Sequence, residues 1–323
     1  KEGILIKNGE ALERGRNLDV IMFDKTGTLT IGKPVVTDAI SKDQDFYTIC
    51  ASLEYHSEHP LARAIVNYSQ EQGGEVKEIE NFQSIAGKGV EGLLDRKLVR
   101  IGSPAFMHQS GSIDHEYVDA IERLQDEAKT VVLVSIEDKI IGLLAIADAP
   151  KENAAQTVKQ LKELGLEVMI ITGDNKRTAM AIAKKLGIEQ VEAEVLPDKK
   201  LEIVKAAQAK GKHVAFAGDG INDAPALTQA DLGIAIGSGT DIAIEAGQIV
   251  LVGGGPEKIY NAIMLARQTY KTIRQNLFWA FFYNVIAIPL AALGLLNPMI
   301  AAAAMAFSSI SVVLNSLRLR KRV

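Results

Sequence analysis

The chain has 323 residues, 24% of them charged and 47% hydrophobic, with a formal net charge of −4. That length predicts two soluble units plus something extra, and the acidic balance excludes a broad basic field for nucleic acid. A single cysteine, Cys50, rules out an internal disulfide and a Cys-x-x-Cys thiolate site, so the soluble part reads as cytosolic; residues 1–9 carry no initiator Met and no apolar leader, which suggests a segment of a larger protein.

In chain order, the first strong element is the apolar run 20–23, followed directly by Asp24 and a glycine-bearing turn, Lys25-Thr26-Gly27-Thr28. Residues 38–140 change texture. Two helical segments within 46–72 precede strand-like pieces at 76–82, 89–94, 98–101 and 131–136, which predicts an α+β insertion crossed near Asp38 and Ile140, a hinge pair if the units move. Apolar runs at 168–171, 214–217, 232–236 and 249–252 suit strands buried on both faces of a parallel sheet. Val158, Leu161 and Leu164 form one helical stripe and Ala179, Ile182, Ala183 and Leu186 another, as helices covering such a sheet require. Near the end, 277–296 and 299–317 carry no charge and are separated only by Asn297-Pro298. Each is long enough to cross a hydrocarbon core of about 30 Å as a helix. Lys271 and Arg274 precede the pair, and Arg318, Arg320, Lys321 and Arg322 follow it, so both outer ends are expected in the cytosol. A buried helical hairpin in a soluble domain is the alternative.

The chemistry is expected beyond the carboxyl ends of the strands. Asp24 can offer a carboxylate to a phosphoryl group whose oxygens meet turn N–H groups and Thr hydroxyls. Taken alone, an Asp entering a turn is more often a helix cap. Three further clusters stand at later strand ends: Thr172-Gly173-Asp174, residues 197–200, and Gly218-Asp219-Gly220-Ile221-Asn222-Asp223. An anionic nucleophile attacking an anionic phosphate needs a divalent cation, and Asp24 with Asp219 suits Mg²⁺, supported by Asn222 and Asp223. Thr172 offers a hydroxyl to a phosphate oxygen and Lys200 a charge to the pentavalent group. Singly these residues also read as a turn, a solvated helix face and a loop.

Asp24-Lys25-Thr26-Gly27-Thr28, Thr172-Gly173-Asp174 and the block 218–225 resemble, in order, the signature blocks of P-type ATPases. The resemblance implies an α/β fold: a haloacid-dehalogenase-like Rossmannoid phosphorylation domain (1–38 and 141–272), an inserted α+β nucleotide-binding domain (39–140), two transmembrane helices within 273–319 and a basic cytosolic tail (320–323). It implies phosphorylation of Asp24, Mg²⁺ held by Asp24, Asp219 and the Thr26 carbonyl, and phosphate contacts from Lys200 and Thr172. Ser57-Glu58-His59-Pro60-Leu61, with Glu54 before it and Gly87-Lys88-Gly89 beyond, resembles the nucleotide domain of the heavy-metal-transporting subclass. ATP would then meet Glu54 at its adenine amine, His59 at the base and the two glycines at close approach, with Gly173 and Asp174 opposite. Apart from the family, His59 reads as a structural histidine beside a turn proline. Two departures touch the nucleotide: Ser103 stands where copper pumps often have Asn, and Lys151 where many relatives have Arg.

In the last two helices, Asn276, Tyr283-Asn284 and Pro289, then Met305, Ser308, Ser309 and Asn315, resemble the pattern of monovalent copper pumps. No Asp, Glu, Lys or His lies in either span, and thioether and neutral oxygen ligands suit soft Cu⁺ or Ag⁺. Singly, Met305 reads as core filler and Ser308-Ser309 as a packing patch. The expected whole is a copper-exporting, Mg²⁺-dependent ATPase of the cell membrane with cytoplasmic catalytic domains. Its partners would be ATP, Cu⁺, the lipid bilayer, a copper chaperone and the remainder of the pump, namely earlier membrane helices and an actuator domain. The alternatives are a soluble haloacid-dehalogenase-like phosphatase with a hydrophobic tail and a purely regulatory nucleotide-binding module. Such phosphatases usually carry a second Asp two positions after the nucleophile, where this chain has Thr26.

Overall fold

The computed structural model describes residues 3–57, 59–85, 87–108, 113–219, 223–237, 245–253, 255–293 and 298–319. Asn222, Glu58, Asn297 and the tail 320–323 lie outside the described residues. In chain order the strands are β1 (Ile4–Ile6), β2 (Val20–Asp24), β3 (Val35–Ser41), β4 (Glu80–Ile85), β5 (Gly89–Leu94), β6 (Lys97–Gly102), β7 (Thr130–Ile136), β8 (Lys139–Ala147), β9 (Glu167–Ile171), β10 (Gln190–Glu192), β11 (Val214–Gly218), β12 (Leu232–Ile236) and β13 (Ile249–Leu251).

Seven of them form one sheet in the order β1-β13-β12-β11-β2-β9-β10, parallel throughout except for the antiparallel edge strand β1. The period of two along β2 divides its side chains between two cores. Ile21 and Phe23 pack with Val158, Leu161, Ile182 and Leu186, whereas Val20 and Met22 pack with Val204, Phe216 and Leu227. Every residue of β2, β11 and β12 is buried, so their continuous apolar runs follow from two covered faces. The helix Lys176–Leu186 is fixed at both ends: Asn175 accepts from Thr178 N at 3.0 Å, and Gly187 closes it at φ +72°.

The other six strands form an antiparallel sheet, β3-β8-β7-β6-β5-β4, covered by the helices Phe46–Glu54 and Pro60–Glu71 on one core and by His115–Asp126 on another. Both chain crossings are themselves strands of this sheet, β3 pairing antiparallel with β8. The crossings are stitched again where they enter the parallel unit. Ile31 N donates to Ala149 O at 2.9 Å, Lys151 N to Leu29 O at 2.9 Å, and Asp148 accepts from Thr30 Oγ1 at 2.5 Å and Gly32 N at 3.0 Å. The piece expected at 76–82 forms a strand at Glu80–Ile85 instead, with a register shift between Glu80 and Gln83.

After β13 the helix Glu257–Ala292 runs unbroken for 36 residues, about 54 Å at 1.5 Å per residue. Its first turns bury Ile259, Ala262, Ile263 and Ala266 against the parallel unit, while Phe281, Val285, Ile288 and Leu293 are exposed. Among the described residues it is the one helix long and apolar enough to cross a membrane by length and composition. The helix Pro298–Leu319 packs beside it, joined through Asn276 Nδ2 to Ser316 Oγ at 3.0 Å and Asn315 Nδ2 to Asn276 Oδ1 at 2.9 Å.

Candidate active site

β2, an inner strand of the parallel sheet between β11 and β9, ends on Asp24; β11 ends beside it on Gly218, leading to Asp219. The chain after Asp24 turns back on itself. Gly27 takes φ +73°, and Thr30 N closes the turn on Lys25 O at 3.2 Å. A Cβ on Gly27 would lie 3.7 Å from the Asp219 carboxylate, so the turn and Asp219 face one another. Gly218 is required for a different reason: a Cβ there would stand 2.3 Å from Asp223 Oδ2.

Lys200, delivered by the first turn of the helix Pro197–Ala209, is buried and donates to Asp24 Oδ1 at 2.6 Å and Asp223 Oδ1 at 2.7 Å. Burial, then the charge of Asp223, raises the Asp24 carboxyl from 3.8 to about 7, against the opposing pull of Lys200; Asp219 raises it further. Lys200 is held above its ordinary value despite its burial, because both carboxylates favour its charge. Thr172 is buried at the end of β9, its Oγ1 accepting from Asp174 N at 3.2 Å. The Thr28 hydroxyl is buried with no hydrogen-bond partner among the described residues. Thr26 is half-buried within the turn.

No cluster of three or more His, Cys, Asp or Glu suited to a metal occurs among the described residues. The donor set nevertheless fits Mg²⁺, which uses one or two carboxylates and completes its octahedron with water and phosphate. Burial first, and then the neighbouring charges of Asp223 and Asp219, disfavour a second negative charge at Asp24, which a bound cation would offset.

Asp174 ties the turn to the antiparallel unit: its carboxylate pairs with Lys25 Nζ and accepts from Thr130 Oγ1 at 3.3 Å. Its charge also reaches His59. Glu54 is buried at the end of its helix, and burial raises its carboxyl to about 7, partly offset by Ser57. His59 caps the helix Pro60–Glu71, its Nδ1 accepting from Leu61 N at 3.3 Å. Gly87, at φ +71°, brings its backbone to within a Cβ contact of 3.1 Å from Leu196 Cδ2, and Gly173 faces Val195 O. Gly89 needs its missing Cβ most, because one would stand 2.1 Å from Ile101 O.

Two residues expected near the nucleotide make other contacts. Ser103 Oγ accepts from Phe106 N at 3.3 Å and caps the short helix Pro104–His108. Lys151 Nζ donates to Gly27 O at 2.6 Å, bracing the turn that follows Asp24. That brace and the Lys25–Asp174 pair were not apparent from local sequence, since their partners are separated by 124 and 149 positions. In the apolar helices, Asn284 Nδ2 donates to Ala280 O and Ser309 Oγ to Met305 O, each within its own helix, and the Met305 side chain is exposed; Tyr283 and Ser308 are half-exposed.

An aspartate at the tip of an inner parallel strand is clamped by a buried lysine and flanked by two more carboxylates on a Rossmannoid sheet. The haloacid dehalogenase-like hydrolase family matches residues 18–231. Proteins named copper-exporting P-type ATPase from Staphylococcus epidermidis and Staphylococcus aureus are each 46% identical over 322 residues, covering 99% of this chain and 40% of theirs. A zinc-transporting PIB-type ATPase solved in an E2.Pi state superposes with a TM-score of 0.72 at 35% identity, over 98% of this chain and 52% of its own. The catalytic domain of the CPx-ATPase CopB-B gives a TM-score of 0.64 at 31% identity, over 82% of this chain and 95% of that domain. The chain belongs to the haloacid dehalogenase-like hydrolases and, within them, to the heavy-metal P-type ATPases. It spans well under half the length of the curated relatives named here.

Proposed function

We propose that this chain is the catalytic part and the last two membrane helices of an ATP-driven exporter of Cu⁺, working through an aspartyl phosphate at Asp24. The observation that carries this is the Lys200 clamp on Asp24 Oδ1, which neutralises one carboxylate oxygen and leaves Oδ2 to attack. Oδ2 forms a bond to the γ-phosphorus of ATP as the bond from that phosphorus to the β,γ-bridging oxygen breaks, and ADP leaves with the electron pair. Lys200 and the Thr172 hydroxyl meet the charge that develops on the transferring group. Mg²⁺ bound at Asp24, Asp219 and the Thr26 carbonyl, with Asn222 and Asp223 in support, would supply the remaining charge compensation. Glu54, His59, Gly87 and Gly89 on the antiparallel unit, with Gly173 and Asp174 facing them, are assigned to the nucleotide.

The domains follow the same reading. Residues 1–38 and 141–272 carry the phosphorylation chemistry, 39–140 the nucleotide, 273–319 the spans and 320–323 the cytosolic tail. The boundary at 272 falls inside one continuous helix, which gives a mechanical link from Asp24 to the membrane. Tyr283, Asn284, Met305, Ser308 and Ser309 are assigned to the transported ion. The soft thioether and neutral oxygens, with no carboxylate in either span, favour Cu⁺ or Ag⁺ over Zn²⁺. Delivery by a copper chaperone and residence in the cell membrane complete the proposal. ATPase activity of the complete pump, titrated with Cu⁺, Ag⁺ and Zn²⁺, tests it: Cu⁺ should stimulate, and stimulation by Zn²⁺ alone would overturn the ion assignment.

A further inference from the structure

A cavity of about 710 Å³ opens where the helix Glu257–Ala292 leaves the parallel unit. Arg267, Tyr270, Lys271, Arg274, Gln275 and Phe278 line it at spacings of i, i+3, i+4, i+7, i+8 and i+11, which is one face of that helix. Arg16, from the loop ahead of β2, completes it and lies over the Tyr270 ring, 4.4 Å from its centroid. No acidic side chain is in this lining, and none of the four cations is in an ion pair among the described residues. Arg267 spends one nitrogen on Leu164 O at 2.9 Å, while its Nε is buried without a partner. Four cations lining one space with no acidic side chain among them suit an anionic ligand.

The other end of the cavity says which anion. Phe278 and Trp279 line it, are exposed, and stand at the start of the uncharged run 277–296. The cations therefore sit at the depth of lipid headgroups and the rings at the depth where aromatic side chains border the hydrocarbon. We infer that this cavity is a binding site for the phosphate headgroup of an anionic phospholipid from the cytoplasmic leaflet. Arg16, Lys271 and Arg274 engage the phosphate, and Phe278 and Trp279 lie along the acyl chains. This rests on the membrane placement in the proposed function.

Trp279 is the one tryptophan of this chain, so it reports on the site. The test uses the complete pump with its remaining tryptophans replaced by phenylalanine, reconstituted in mixtures of phosphatidylcholine and phosphatidylglycerol of which one carries brominated acyl chains. Brominated phosphatidylglycerol should quench Trp279 in preference to brominated phosphatidylcholine, and each cation removed should lower that preference about fivefold. Arg16→Gln with Arg274→Gln should therefore bring the two lipids close to equality, whereas Arg274→Lys should keep most of the preference. Retained phosphorylation of Asp24 in the double variant shows that the fold is intact. Equal quenching by the two lipids in the unsubstituted cavity would overturn the inference, as would an undiminished preference in the double variant. Loss of the preference on adding millimolar inorganic phosphate would make this a site for soluble anions and equally end the lipid assignment. No quenching by either lipid would refute the membrane placement instead.

Discussion

Replacing Lys200 by methionine separates what this side chain does for stability from what it does for chemistry. Its ammonium lies 2.6 Å from Asp24 and 2.7 Å from Asp223, yet burial still raises the Asp24 carboxyl from 3.8 to about 7. That rise corresponds to about 4 kcal/mol of disfavoured charge already carried by the folded protein. Without the lysine, Asp24 takes up a proton instead of remaining an unpaired buried anion. At about pH 7.5, full protonation of a carboxyl whose unfolded value is 3.8 costs about 5 kcal/mol, so the extra loss at Asp24 is capped near 1 kcal/mol. At Asp24 alone that is worth about 2–4 °C of Tm in a protein of this size, and Asp223, buried and paired with the same lysine, adds its own loss. The chemical loss is larger, because a protonated Asp24 is no nucleophile and one preorganised charge is gone: about 10²–10³ in rate. Rapid-quench measurement of phosphoenzyme formation, paired with thermal unfolding, reads both quantities. A rate within about threefold of the unsubstituted pump would refute the assignment of Lys200.

The remaining expectations concern other parts of the molecule. A carboxyl raised in the folded state holds a proton that the unfolded chain has lost, so between about pH 4 and 7 Asp24 makes stability fall as pH rises. In Mg²⁺-free buffer the stabilisation given by Asp24→Asn should therefore be larger at pH 8 than at pH 5, by up to about 3 kcal/mol in denaturant titrations; an equal gain at both would contradict the raised value. Lys151→Met removes the ammonium from Gly27 O, and at about 1.5 kcal/mol should slow phosphorylation roughly tenfold while leaving ATP affinity unchanged in equilibrium binding. Gly89→Ala drives a methyl into Ile101 O and should cost about 3 kcal/mol of stability in chemical unfolding. Cys50, fully buried with its thiol pushed up by burial, should resist thiol reagents until the antiparallel unit unfolds.

The parallel sheet was legible because β2, β9, β11, β12 and β13 are apolar runs buried on both faces, and such runs announce themselves without their neighbours. β3 was not, since its alternating half-exposed residues resemble a linker until β8 pairs with it. β8 carries the apolar run to find it by, but a crossing placed near Ile140 divided that run in two. The continuity of the helix Glu257–Ala292 was hidden by its change of solvent: the first turns face a protein core and the rest are exposed, so no single period runs through it. At the site, Asp24, Thr172 and Asp219 stand at strand ends as their motifs suggested, while Lys200, expected at a strand end with them, comes from the first turn of a helix. The contacts of Lys151 and Asp174 depend on which loops the two sheets bring together, whereas Ser103 makes a local helix cap. The resemblance marked Lys151 by the arginine of its relatives; its contact with Gly27 O needed the turn to be folded.

The most direct test of the account is labelling of the complete pump with γ-³²P-ATP in Mg²⁺, followed by acid quench and hydroxylamine. An acid-stable, hydroxylamine-sensitive label that disappears in Asp24→Asn is the predicted result. A complete pump that takes no label, or an Asp24→Asn variant that labels as well as the parent, would contradict it.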